Sequence, residues 1–278
     1  MLESKDAVQL FTSQAIQNIA RGDYSLLYKI VEDYLNPTFS SIKISEIFDL
    51  TFNKVSKNYK NEYIYKNIIA NNVFLKKHSN KNATMLFEFR VGKNKADCAI
   101  FNGSSTCYEI KTEFDNLKRL PEQLAEYSKI FDKVNVIASQ NHIDKILEST
   151  PDFIGIYKLT EKSSLKEIRK AGDIKTTIDP FLMIQSLRRV EYVEIASKIL
   201  GESINVNNMD IFQHCADIMT QCESNKLRTL FRMAIKKYRS INYNILESIP
   251  DSLVSSFISY KINPIHQKKL TNIMNEYI

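Results

Sequence analysis

The strongest constraint on the fold is a change of hydrophobic period partway along the chain. From Ala7 to about Lys77 apolar residues recur at helical spacing, whereas between Met85 and Ala138 the period falls to two. Three runs, MLFEFRV (85–91), ADCAIF (96–101) and TCYEIK (106–111), read as strands joined by Gly92–Lys95 and by a turn at Asn102–Gly103. Pro121 suits the first turn of a helix to about Phe131, with Leu124, Tyr127, Ile130 and Phe131 as its apolar stripe. VNVIA (134–138) is a buried strand, a helix follows at about 142–149, and FIGIYKL (153–159) is another strand. A strand, crossover helix and strand make a right-handed parallel unit, so the sheet is expected to be mixed: antiparallel early and parallel late.

The flanks read as helical. Residues 1–57 form an N-terminal helical segment broken near Asn36–Pro37, 58–165 hold the sheet, and 175–278 form an all-helical C-terminal region that starts at Asp179–Pro180. The 278 residues suit about two domains, and only 6 Gly and 6 Pro argue against a loop-dominated chain. Cys98, Cys107, Cys215 and Cys222 form no disulfide framework or zinc motif, and no run approaches a membrane span. The expectation is a cytoplasmic protein, and its net charge of +6 makes polyanions plausible partners.

Chemistry is concentrated in the strands. Alternation puts Cys107, Glu109 and Lys111 on one face, and Asp97 shares its face with Ala99 and Phe101. Two carboxylates and an ammonium on hairpin partners bind a hard divalent cation, and the lysine can orient water or offset charge on a phosphate. Glu-x-Lys alone is usually a solvated strand face, but here the acids border a buried sheet, where unpaired charge is costly. The register is decisive. A two-residue Asn102–Gly103 turn would put Asp97 and Glu109 on opposite faces, whereas a three-residue loop with Gly103 at positive φ sets them directly across from each other.

Two further acids could join. Glu62 lies on a helix from about Tyr59 to Lys77 and shares a face with Ile69, which points it towards the packed side, and Glu88 lies on the strand face of Arg90. Gln123 and Tyr127 project together from one helix, and Asp115 and Arg119, also four apart, suit a local salt bridge. His78, His142, His214 and His266 show no metal-ligand spacing, and no GxGxxG, P-loop or GxSxG occurs.

Asp97, then Glu109–Ile110–Lys111, then Gln123-Leu-Ala-Glu-Tyr127 resemble the PD-(D/E)XK nuclease superfamily in its RecB-like QxxxY branch. NEYIYKNII, EFRVGKNKADCAIFNG and YEIKTEFDNLKRLPEQLAEYSKIFDKVNVI, with PDFIGIY, more closely resemble a poorly characterised bacterial family of nuclease-like proteins. The resemblance covers about residues 61–159. It implies an α/β fold with a three-layer restriction-endonuclease-like core and a mixed central sheet. It further implies metal ligation by Asp97 and Glu109, a catalytic Lys111, an acid contributed by Glu62, and a substrate-facing Gln123 and Tyr127. Ala96 stands where the superfamily has proline, a departure from the literal motif only.

The function expected from these residues is a Mg²⁺- or Mn²⁺-dependent nuclease acting on nucleic acid, with DNA foremost and defence against foreign DNA as one setting. The Ile110 carbonyl is a further candidate ligand and Glu88 a supporting acid. The rival is a non-catalytic nucleic-acid-binding or protein-interaction module that keeps the fold, and the C-terminal helices could carry a protein partner or a second copy. In that region Arg228, Arg232, Lys236 and Arg239 are expected to run along the solvent side of one helix and track phosphates.

Overall fold

The computed structural model describes residues 2–36, 41–77, 82–174, 178–260 and 262–278, so Pro37 and His78 lie outside the described residues. Strands β1 (Thr84–Val91), β2 (Asn94–Phe101), β3 (Ser105–Lys111), β4 (Lys133–Ala138), β5 (Gly155–Leu159) and β6 (Leu165–Arg169) form one sheet in chain order. β1, β2 and β3 pair antiparallel, β3, β4 and β5 parallel, and β6 returns antiparallel to β5. The mixed sheet is the one the change of period predicts. β6 escapes that reading because its sequence, LKEIR, lies largely exposed at the sheet edge and carries no buried alternation.

Phe101 pairs with Ser105, so the β2–β3 connection is the expected three-residue loop. Gly103 is not at positive φ, however. The Asn102 side chain accepts the Ser104 N–H at 2.7 Å while the Asn102 N–H donates to the Ser104 carbonyl at 3.0 Å, which closes the turn without a left-handed residue.

Helices cover both faces. Met85, Cys98, Ile100, Tyr108 and Ile110 pack in one core with the helices Ser13–Ala20, Ile44–Asn58, Glu62–Ile69 and Val254–Ser259. Phe89, Phe101, Cys107, Val134 and Val136 pack in the other with Leu120–Tyr127, Ile143–Ser149, Arg189–Leu200 and Ser224–Tyr238. The region 175–278 therefore does not stand apart as a layer of its own. Its later helices, including Pro264–Ile273, cross to the N-terminal side, where Ile42 and Ile278 exchange backbone hydrogen bonds of 3.1 and 3.0 Å. Among the described residues, no helix is long and apolar enough to cross a membrane.

Candidate active site

The site begins with a fault in the pleat. β1 and β2 stay in register from Thr84↔Phe101 to Val91↔Asn94, but Glu88 and Asp97 are not paired. Glu88 adopts a left-handed φ of 52°, a costly conformation for a side chain with a Cβ. In a regular strand residues 85, 87, 89 and 91 share one face. Here Met85 and Phe87 join one core and Phe89 and Val91 the other, so the strand changes faces at Glu88. β2 does the same at Asp97, between Ala96 and Cys98.

The fault turns Asp97 into the gap where β2 and β3 part. Their ladder ends at Cys98↔Tyr108, and beyond it Asp97 Oδ2 accepts the Ile110 N–H at 2.6 Å. The register, carried one residue further, sets Asp97 across from Glu109. A strand residue directs its N–H and C=O towards the same neighbour, so the Ile110 carbonyl also faces this gap.

Two charged groups meet there. Glu62, Glu88 and Asp97 each offer an oxygen within 4.8 Å of the others. Lys66, one turn beyond Glu62, lies 2.5 Å from Glu62 Oε1 and 2.6 Å from Glu88 Oε1. Burial disfavours the Lys66 ammonium, but the two glutamates outweigh burial and hold its pKa above the ordinary lysine value. Towards the other core, Lys111 Nζ donates to Glu109 Oε1 at 2.7 Å and to Gln123 Oε1 at 3.1 Å. The Tyr127 hydroxyl lies 3.1 Å from Glu109 Oε2 and 2.8 Å from the Lys95 carbonyl. Burial, then the Glu109 charge, pushes the Asp97 carboxyl well above the usual range, against the pull of the Ile110 N–H. Burial also raises Glu109, though Lys111, Tyr127 and Gln123 oppose it.

Asp97 reaches the Ile110 N–H and shares a cluster with Glu62 and Glu88, whereas Glu109, expected as its fellow ligand, lies outside that cluster and is held by Lys111 and Tyr127. Glu62 departs from expectation in being exposed rather than facing the packed side, because it opens its helix at the rim of the sheet. Gln123 and Tyr127 are buried and held by Lys111 and Glu109, so they position those side chains rather than face a substrate. Asp115 does not pair with Arg119: it accepts the Thr112 N–H and hydroxyl, both at 2.7 Å, while Arg119 donates to Asn94. Lys66 escaped the sequence reading, although its position four residues after Glu62 was a visible signal.

The basic stripe is corrected more fully. Arg228 is buried and lies 3.1 Å from Asp132 Oδ1, and Arg232 lies 2.9 Å from Asp132 Oδ2. Arg239 pairs with the fully buried Glu191 at 2.6 Å. The helix packs against the sheet and against Arg189–Leu200, so the flank that reads as solvent-facing on a helical wheel is enclosed. Arg228 and Arg232 hold the fold at the start of β4 and do not present a phosphate track.

Comparison with known proteins adds a family. The family profile described as Bacteriophage P4 protein cII matches residues 55–256. Protein cII of Enterobacteria phage P4 is 25% identical over 181 residues, covering 63% of this chain and 67% of that protein. Among solved structures, a protein of unknown function from Silicibacter pomeroyi aligns at 14% identity and a TM-score of 0.30, covering 48% of this chain and 88% of that one.

Proposed function

The chain belongs to the bacteriophage P4 protein cII family, and from the site it carries we propose a metal-dependent nuclease that hydrolyses phosphodiester bonds, with DNA as the expected substrate. The reading rests on one observation: the Asp97 carboxyl seated in the gap between β2 and β3, within reach of the charge on Glu109, which in turn holds the Lys111 ammonium.

The donor set suits a hard divalent cation. Glu62, Glu88 and Asp97 offer oxygen only, and their oxygens, all within 4.8 Å of one another, are close enough to converge on one hard cation. Glu109 could add a further donor, since each carboxylate oxygen keeps an acceptor site beyond its present hydrogen bond. A bound Mg²⁺ or Mn²⁺ would supply Lewis-acid charge against the phosphate oxygens. Lys111 uses two of its three N–H bonds on Glu109 and Gln123, which leaves the third for a water or a phosphate oxygen. Gln123 and Tyr127 fix the direction of that bond. Lys66, paired with Glu62 and Glu88, holds the cluster at reduced charge until a cation enters.

The same ion pairs favour a second reading, in which Lys66 is the permanent counter-ion and the protein binds nucleic acid without cutting it. Incubating purified protein with Mg²⁺ or Mn²⁺ and labelled single-stranded and duplex DNA and RNA separates the two. The nuclease reading expects metal-dependent cleavage of at least one substrate and a loss of about 10²-fold or more in Lys111→Ala. No cleavage of any substrate by the wild type selects the binding module.

A further inference from the structure

At the carboxyl ends of β3, β4 and β5 lies an open cleft of about 750 Å³, at the place where open α/β sheets commonly bind ligands. Lys60, Lys158, Lys162 and Lys166 line it, against two glutamates, Glu113 and Glu161. Lys162 and Lys166 are exposed, and Lys158 is held by the Gln140 side chain. None of the four lysines forms an ion pair with a carboxylate among the described residues. Four ammonium groups against two carboxylates leave the concavity with an excess of positive charge, which suits a polyanion.

The cleft adjoins the end of the strand that carries Glu109 and Lys111. The Ser139 N–H, on its wall, donates to the Lys111 carbonyl at 3.0 Å. Lys60 precedes Glu62 by two residues, and Glu113 follows Lys111 by two. Tyr59, next to Lys60 in the chain, and Phe114, next to Glu113, form an aromatic pair with ring centroids 5.3 Å apart and an interplanar angle of 38°. Phe114 is 61% exposed. It does not sit on a slack loop: Asp115 accepts both the Thr112 N–H and the Thr112 hydroxyl, and a His142 ring nitrogen lies 3.0 Å from the Thr112 carbonyl. A turn pinned this firmly holds a large apolar ring outward, one residue along the chain from the cleft wall at Glu113.

Building on the nuclease reading, we infer that the cleft and the Tyr59–Phe114 pair form a track for single-stranded nucleic acid, with the lysines along the phosphates and Phe114 stacking on a base. Exposed aromatics beside a basic groove are how proteins hold single strands. A duplex keeps its base faces inside the stack and offers Phe114 nothing to cover.

Binding is measured in EDTA, where no hydrolysis is needed, by fluorescence anisotropy of the full-length protein with labelled single-stranded DNA, single-stranded RNA and the matching duplexes. At least one single strand should bind on the order of 10-fold more tightly than its duplex. Lys162→Ala/Lys166→Ala should flatten its log–log salt slope by about 1.4, at roughly 0.7 for each phosphate no longer neutralised. Phe114→Ala should weaken binding on the order of 10-fold, and Phe114→Trp should restore it. Equal affinity for duplex, or wild-type affinity and slope in both alanine variants, overturns the inference. Single-strand binding without cleavage in the presence of metal would refute the nuclease reading while upholding the track. Cleavage with both alanine variants unaffected would do the reverse.

Discussion

Asp97→Asn is expected to lose metal-dependent cleavage by about 10²-fold or more while raising the melting temperature of the metal-free protein. The first effect follows if Asp97 is the proposed charged ligand, since a few kcal/mol of charge stabilisation corresponds to about 10²- to 10³-fold in rate. The second follows from electrostatics. Asp97 is pushed up by burial and by Glu109, so its ionised form opposes folding. A carboxyl whose folded pKa is raised costs stability as pH climbs from the unfolded value near 3.8 towards the folded one. Asparagine keeps an acceptor for the Ile110 N–H and carries no charge, so its melting advantage over the wild type should widen with rising pH in EDTA. Mg²⁺ should then stabilise the wild type and not the variant. Equal stabilisation of both by Mg²⁺, in thermal melts across pH, would remove Asp97 from the ligand set.

Asp132→Ala is expected to destabilise the fold by about 3–5 kcal/mol, or on the order of 10 °C in melting temperature. Asp132 Oδ2 accepts the Ser105 N–H at 2.7 Å and the Ser105 hydroxyl at 2.9 Å, and the same carboxylate pairs with Arg228 and Arg232. Burial pushes its pKa up, but the Ser105 bonds and the two guanidinium groups more than reverse this and leave it lowered. The sign is therefore opposite to that of Asp97. The stability Asp132 contributes is fully present above the unfolded value of 3.8 and is lost as pH falls through the folded value. Losing the carboxylate leaves two arginines facing each other in a largely enclosed place. A variant that melts within a degree or two of wild type at pH 7 would show that this network is ornamental.

The two predictions mark where sequence was sufficient and where it was not. Period two in MLFEFRV, ADCAIF and TCYEIK, with Pro121 opening the next helix, is a local signal, and the mixed character of the sheet follows from it. The face change at Glu88 and Asp97 is not local. Alternation counting assumes a regular pleat, and nothing in EFRV or KADC announces a left-handed glutamate. The acids could be identified from composition and company, but which of them meet depended on that fault. Arg228 and Arg232 failed for another reason. A helical wheel separates apolar from polar, not exposed from paired, and their partner, Asp132, is 96 and 100 residues away in the chain. Lys66 was within reach at i+4 from Glu62, yet its second partner, Glu88, lies on a strand that only the fold brings near.

If Asp97 and its neighbours hold a divalent cation, as proposed, Mn²⁺ soaked into crystals of the protein can be located there by anomalous diffraction. An anomalous peak is expected within bonding distance of an Asp97 oxygen, with ligands from among Glu62, Glu88, Glu109 and the Ile110 carbonyl, and Lys66 displaced from its present pairs. Density without a peak there, with Lys66 still bridging Glu62 and Glu88 at saturating Mn²⁺, would contradict the proposal.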